Sequence, residues 1–163
     1  AKRVAMEDLR ALALSLGHRQ VRTLLNSGNL LFETERTDTI SLAKELSKAI
    51  AARFEIAVHV VLLAAGELDR IVAENPLKDV MTDPTRGLVA FVSTPEGLAR
   101  LQPLTLKTWA PDQVAIGGQA AYLWCAEGIL ESKLQQAFSR LGGEVVTTRN
   151  WSTVLKLQAA VAK

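Results

Sequence analysis

Arg149, Asn150, Ser152 and Lys156 are the residues of this chain best placed, by type and spacing, to do chemistry. They fall in and just after the run Thr147-Thr148-Arg149-Asn150-Trp151-Ser152-Thr153-Val154, which follows Gly142-Gly143 and the β-branched stretch Val145-Val146-Thr147. An apolar, alanine-rich segment comes next, so the pattern predicts a strand that turns into a final helix. At such a turn the first backbone N–H groups lack intrahelical partners and the helix dipole is positive. A guanidinium, an amide and hydroxyls around that end suit an anion. Lys156 follows Ser152 by one helical turn. Ser132-Lys133 opens the preceding helix, and two helix starts carrying Lys and Arg would suit a phosphate or a carboxylate. The same residues also suit a purely local role. Asn150 or Ser152 can cap the helix, Arg149 can bond nearby carbonyls, and Trp151 can fill an apolar seam. Residue types leave both readings open.

The remaining candidates are weaker. Asn26-Ser27-Gly28-Asn29 is a hairpin turn whose Gly28 and Asn29 tolerate positive φ, and Ser27 has no base beside it in sequence. His18, just past a helix end, is expected to be solvent-exposed, and His59 to be half-buried in a strand. Cys125 lies in an apolar strand and reads as a small core residue. Tyr122 and Trp124 share one face of their strand, as base-stacking aromatics would, but no basic stripe accompanies them. Asp79, Asp83 and Asp112 have no metal-ligand spacing. No zinc motif, phosphate-binding glycine loop or nucleophile elbow is present, so no cofactor and no metal is expected.

Composition bounds the function further. The chain has 163 residues, 48% hydrophobic and 22% charged, which is enough for a packed core. Lys and Arg against Asp and Glu number 12 and 12 through Arg86, then 7 and 5, giving a net charge of +2. Without runs of like charge, binding to nucleic acid by counterion release is not expected. No apolar run is long enough for a membrane span, so no membrane partner is expected. One cysteine and two histidines exclude a disulfide framework and a typical structural zinc site, and fit a reducing, cytoplasmic setting.

In order, the pattern predicts a helix over 6–16, a hairpin of strands 21–25 and 30–34, and a helix with Ile40, Ala43, Leu46, Ile50 and Phe54 on its buried stripe. A strand over 56–63 and a helix over 67–74 follow, ending at Asn75-Pro76. The second half predicts a strand over 88–92 and a helix starting at Thr94-Pro95. A hairpin of 114–116 and 120–126, a helix over 131–141 with Leu130 in register, a strand over 145–148 and the last helix complete it. The expected fold is therefore α+β, with two ferredoxin-like (α/β plait) halves: residues 1–80 with a trailing helix, and residues 87–163 with a C-terminal helix. The first half lacks its leading strand here, which either precedes Ala1 in the intact protein or comes from another chain.

Three stretches resemble the hallmark segments of the domain of unknown function 1697 (DUF1697) family: Asn26 to Phe32, Ser132-Lys133-Leu134, and Thr147 to Val154. Asn75-Pro76 is similar to that family's asparagine-proline after the first half. Asn26 stands where the family often has glutamine, and Ser152 where it often has asparagine. Members usually open with a strand and an arginine-glycine-isoleucine-asparagine loop, and this sequence begins just after it, at Lys2-Arg3-Val4. The resemblance implies two ferredoxin-like halves and names no reaction.

The expected function is a non-catalytic module binding an anionic small molecule or nucleotide. Arg149, Lys156, Lys133 and Asn150 would hold the anion, with Ser152 and Ser132 orienting it. The alternatives are an enzyme acting on a phosphorylated substrate, or a protein-interaction module that pairs through its sheet edges. A homo-oligomer is compatible with either.

Overall fold

The computed structural model describes residues 4–25, 28–142 and 146–162. Asn26 and Ser27 of the hairpin turn, and Val145 of the closing strand, lie outside the described residues. The chain is of the α+β class, with one sheet of two strands and one of four. It divides into two compact units, Ala1–Ala64 and Ala65–Lys163.

In the first unit α1 (Met6–Ser15) carries Glu7 and Asp8 in its first turn, where they favour the helix dipole. The chain leaves it through Gly17, whose φ of +92 is left-handed and suits glycine. β1 (Arg19–Leu24) pairs antiparallel with β2 (Asn29–Glu33), Leu24 opposite Asn29. The ladder slips between Arg19 and Arg22, where Gln20 takes a φ of 51. α2 (Thr39–Phe54) buries Leu42, Leu46 and Ile50. Ile40, expected on that stripe, is 71% exposed. Two residues before Leu42 means about 200° around the helix, the solvent side.

The expected strand over 56–63 does not form. β1 and β2 pair with each other, and among the described residues no third strand offers this run a ladder. A β-branched sequence makes a strand only where such a partner exists. The strand prediction for this run is corrected accordingly.

In the second unit, α3 (Ala65–Ala73) is followed by the strands β3 (Gly87–Val92), β4 (Gln113–Ile116), β5 (Ala120–Trp124) and β6 (Val146–Asn150). Their spatial order is β4-β5-β3-β6, and every neighbouring pair is antiparallel. Both central strands, β3 and β5, are buried along almost their whole length. Gly87 is required by close approach, since a Cβ there would meet Met81 Sδ at 2.6 Å. α4 (Pro95–Ala99) starts on Thr94, whose hydroxyl accepts from the Gly97 N–H at 3.0 Å. α5 (Lys133–Gly142) and α6 (Trp151–Val161) complete the unit.

Strand alternation sorts the core into two faces. On one, Leu88, Ala90, Ala121 and Leu123 pack with Leu134 and Phe138 of α5 and with Leu101 and Leu104. On the other, the Tyr122 hydroxyl donates to the Ile71 carbonyl of α3 at 2.7 Å, and α6 packs on α3 and β3. The sequence places this α3 as the trailing helix of the first half; its packing partner here is α6 of the second. Leu130, expected in register with Leu134, precedes the helix and is 91% exposed.

Candidate functional site

Gly87 and Gln113 both pair with Trp124, and Leu88 pairs with Asn150, so four strand ends meet at one edge of the larger sheet. The starts of α5 and α6 follow directly from that edge. Asp112 organises it: one carboxylate oxygen accepts from the Ala126 N–H at 2.9 Å, the other from the Ser132 hydroxyl at 2.6 Å. Ser132 Oγ in turn accepts from the Gln135 N–H at 3.0 Å, capping α5. Arg86 donates to the Ala126 carbonyl at 2.8 Å, and its own carbonyl accepts from the Cys125 N–H at 2.9 Å. Asp83 lies 3.4 Å from Arg86. The Thr85 hydroxyl and N–H, with a smaller effect from Arg86, hold the Asp83 carboxyl below its ordinary pKa.

The six residues singled out from sequence are distributed around this edge as follows. Ser132 is buried, and its hydroxyl is occupied by Asp112 and the α5 cap. Lys133 is exposed at the first position of α5. Asn150 Oδ1 accepts from the Thr153 N–H at 2.8 Å and so caps α6. Arg149 is half-buried and donates from Nη1 to the Thr148 carbonyl at 2.7 Å, while burial lowers its pKa. Ser152 is half-buried in the first turn of α6, and Lys156 is exposed one turn on. Arg149 sits opposite Val89, on the face that carries Tyr122, α3 and α6. α5 covers the Leu88 face. The sheet therefore lies between Arg149 and the helix that bears Ser132 and Lys133, and only Arg149, Asn150, Ser152 and Lys156 remain neighbours.

Two features escaped the sequence reading. Asp112 joins backbone and hydroxyl groups 14 and 20 residues away, a pairing with no local signature. His18, expected in solvent, is only 8% exposed because the turn at Gly17 lays its ring on Phe32 of β2, centroids 4.3 Å apart. His59 is exposed rather than half-buried, since the strand expected to carry it is absent. Cys125 is fully buried. Burial pushes its thiol pKa up, a Ser132 hydrogen bond opposes this, and the Asp112 charge adds to it. That is the reverse of an activated nucleophile. Among the described residues no three of His, Cys, Asp and Glu gather to hold a metal ion, and no helix is long and apolar enough to cross a membrane.

Fold and site together define an α+β protein with a hydrogen-bonded polar cluster at one edge of its larger sheet. Residues 1–122 match the sequence profile of "Protein of unknown function (DUF1697)", and the chain belongs to that family. The matched range ends before Ser132-Lys133-Leu134 and Thr147 to Val154, two of the stretches that carry the resemblance. The fold is similar to that of conserved bacterial protein SP0830 from Streptococcus pneumoniae, with a TM-score of 0.81 and 17% identity over 99% of this chain and 91% of that one. At that identity the likeness concerns the fold alone. No curated protein matches the chain.

Proposed function

We propose that this chain is a non-catalytic module that binds a small anion, either a phosphate- or carboxylate-bearing molecule or a nucleotide, at the β6–α6 junction. The observation that carries the reading is the half-buried guanidinium of Arg149, whose charge burial disfavours, one residue before the capped start of α6. An anion there offsets the lost hydration and adds charge-assisted hydrogen bonds. The positive end of α6, Ser152 and Lys156 supplement it. The inert thiol of Cys125 supports a role without catalysis. A cytoplasmic setting belongs to the same proposal. We also read the second unit, from its strand order β4-β5-β3-β6, as a ferredoxin-like half, and the β1–β2 hairpin with α2 as its partial counterpart.

Thermal melts with inorganic phosphate, citrate and AMP test the reading. At a ligand concentration about a hundred times Kd, binding adds about 2.7 kcal/mol and raises Tm by several degrees. Arg149→Ala is expected to lose that rise, and Lys156→Ala to weaken it. Absence of any rise in the unsubstituted chain sinks the proposal.

A second reading draws on the run Ile56 to Leu63, apolar, outside any strand and only partly covered. Such a run is the surface that a protein-interaction module would pair with a partner strand. Concentration-dependent sedimentation that Val58→Lys abolishes would favour it over the anion site.

A further inference from the structure

The first unit contains a hollow of about 420 Å³, within the size range of small-molecule sites. Leu42 and Leu46 form its buried end, and Leu16 and His18 line its wall. His18 is 8% exposed, with one ring face covered by Phe32. Among the described residues neither imidazole nitrogen has a hydrogen-bond partner. Neither nitrogen is sealed away, since among the described residues the one buried side-chain polar atom without a partner is Gln119 Oε1; the ring lines the hollow with its hydrogen-bonding capacity unspent.

The charges around the hollow are already matched. Arg36 forks onto Asp38 at 3.0 and 2.7 Å and also bonds Glu45, while Arg19 lies 3.8 Å from Glu35. Two arginines thus face two glutamates of the lining, and Asp38 beside Arg36 adds one further negative charge, so no cation of the lining is left over. A charged ligand would have to break one of these pairs. An uncharged one would not.

We propose that this hollow binds a small uncharged heterocycle, and that His18 recognises it by hydrogen bonding. A neutral imidazole presents one N–H donor and one bare nitrogen acceptor, so the ligand must carry an acceptor and a donor on one edge. Its flat apolar body rests on Leu42 and Leu46. The site belongs to the first unit alone, differs in chemistry from the anion reading of the second, and stands without it.

The test uses the unsubstituted full chain, treated with diethylpyrocarbonate in the presence of adenosine, uridine or nicotinamide, with peptide mapping by mass spectrometry. The exposed His59 serves as the internal control. At least one heterocycle is expected to slow modification of His18 roughly tenfold at about ten times its Kd, leaving His59 unchanged. Inorganic phosphate is expected to protect neither. His18→Phe keeps a ring against Phe32 and removes both nitrogens; calorimetry should find no heterocycle binding to it. The proposal is overturned if none of the three heterocycles protects His18, if phosphate protects it equally, or if a folded His18→Phe chain binds the heterocycle unchanged.

Discussion

Ser132 and His18 are almost equally buried, at 4% and 8% exposure, one in each unit. Ser132 donates to Asp112 and accepts from the Gln135 N–H, so its hydroxyl holds β4, β5 and α5 together. His18 makes a ring stack and no side-chain hydrogen bond among the described residues. The difference follows from the sheets. Four antiparallel strands bury the two central strands almost entirely, so polar groups on them or at their ends, such as Tyr122 and Ser132, must be tied down. Two strands cover far less, and β1 has no residue that is fully buried. A hollow can persist beside them. Ser132 and Asp112 of the larger unit are spent on structure, although Gln119 Oε1 there is left without a partner, and the smaller unit keeps the His18 ring uncommitted beside its hollow.

The sharpest test of this contrast is native-state amide exchange. Amides of β3 and β5 are expected to exchange on the order of a hundredfold more slowly than those of β1 and β2, since local stability tracks burial and ladder pairing on both sides. Equal protection in the two sheets would break the comparison.

Next in size is Asp112→Ala. It removes two hydrogen bonds and leaves the Ala126 N–H and the Ser132 hydroxyl without their acceptor. A loss of about 2–3 kcal/mol in urea unfolding of the second unit is expected. Ser132→Ala, which removes the α5 cap and one donor to Asp112, should cost about 1 kcal/mol. If the two were equal, Ser132 rather than Asp112 would be the organising residue.

Tyr122 gives a spectroscopic version of the same argument, because it is the only tyrosine. Burial, with a smaller push from the Glu74 charge, raises its pKa to about 12. The folded state therefore favours the neutral phenol. Its contribution to stability is full below the ordinary value of 10.0 and is lost as pH rises toward 12. Tyrosinate absorbance should emerge only near that upper limit, and with it unfolding. Tyr122→Phe, losing the bond to the Ile71 carbonyl, should cost about 1 kcal/mol and flatten the alkaline limb.

Much of the second unit was legible because its signals are local. Thr94-Pro95 marks a helix start, Gly117-Gly118 a hairpin and Asn150 a cap, and each acts within a few residues. The first unit misled where tertiary context decides. The run Ile56 to Leu63 has strand composition but no partner, and Ile40 lies off the stripe set by Leu42. The site suffered most. Whether Lys133 reaches Arg149 depends on which sheet face each helix covers, and that follows from strand register rather than from spacing along the chain. His18 was misplaced because one left-handed glycine decides whether the next side chain points out or folds back.

The smallest expected effect is also the most selective. Burial lowers the pKa of His18 below 6.5; the Arg36 charge acts in the same direction and Glu45 opposes it. The folded chain thus disfavours imidazolium, so stability is full above 6.5 and falls as pH drops from there toward the lowered value. Asp38, held below its usual pKa of 3.8 by Arg36, loses its contribution only at more acid pH. The interval between these two ranges isolates the histidine. Urea midpoints of the first unit should decline across it in the unsubstituted chain and stay level in His18→Phe, while Asp112 variants leave the slope untouched. A saturating heterocycle on His18 should steepen the decline, because it binds the neutral ring and must be released on protonation.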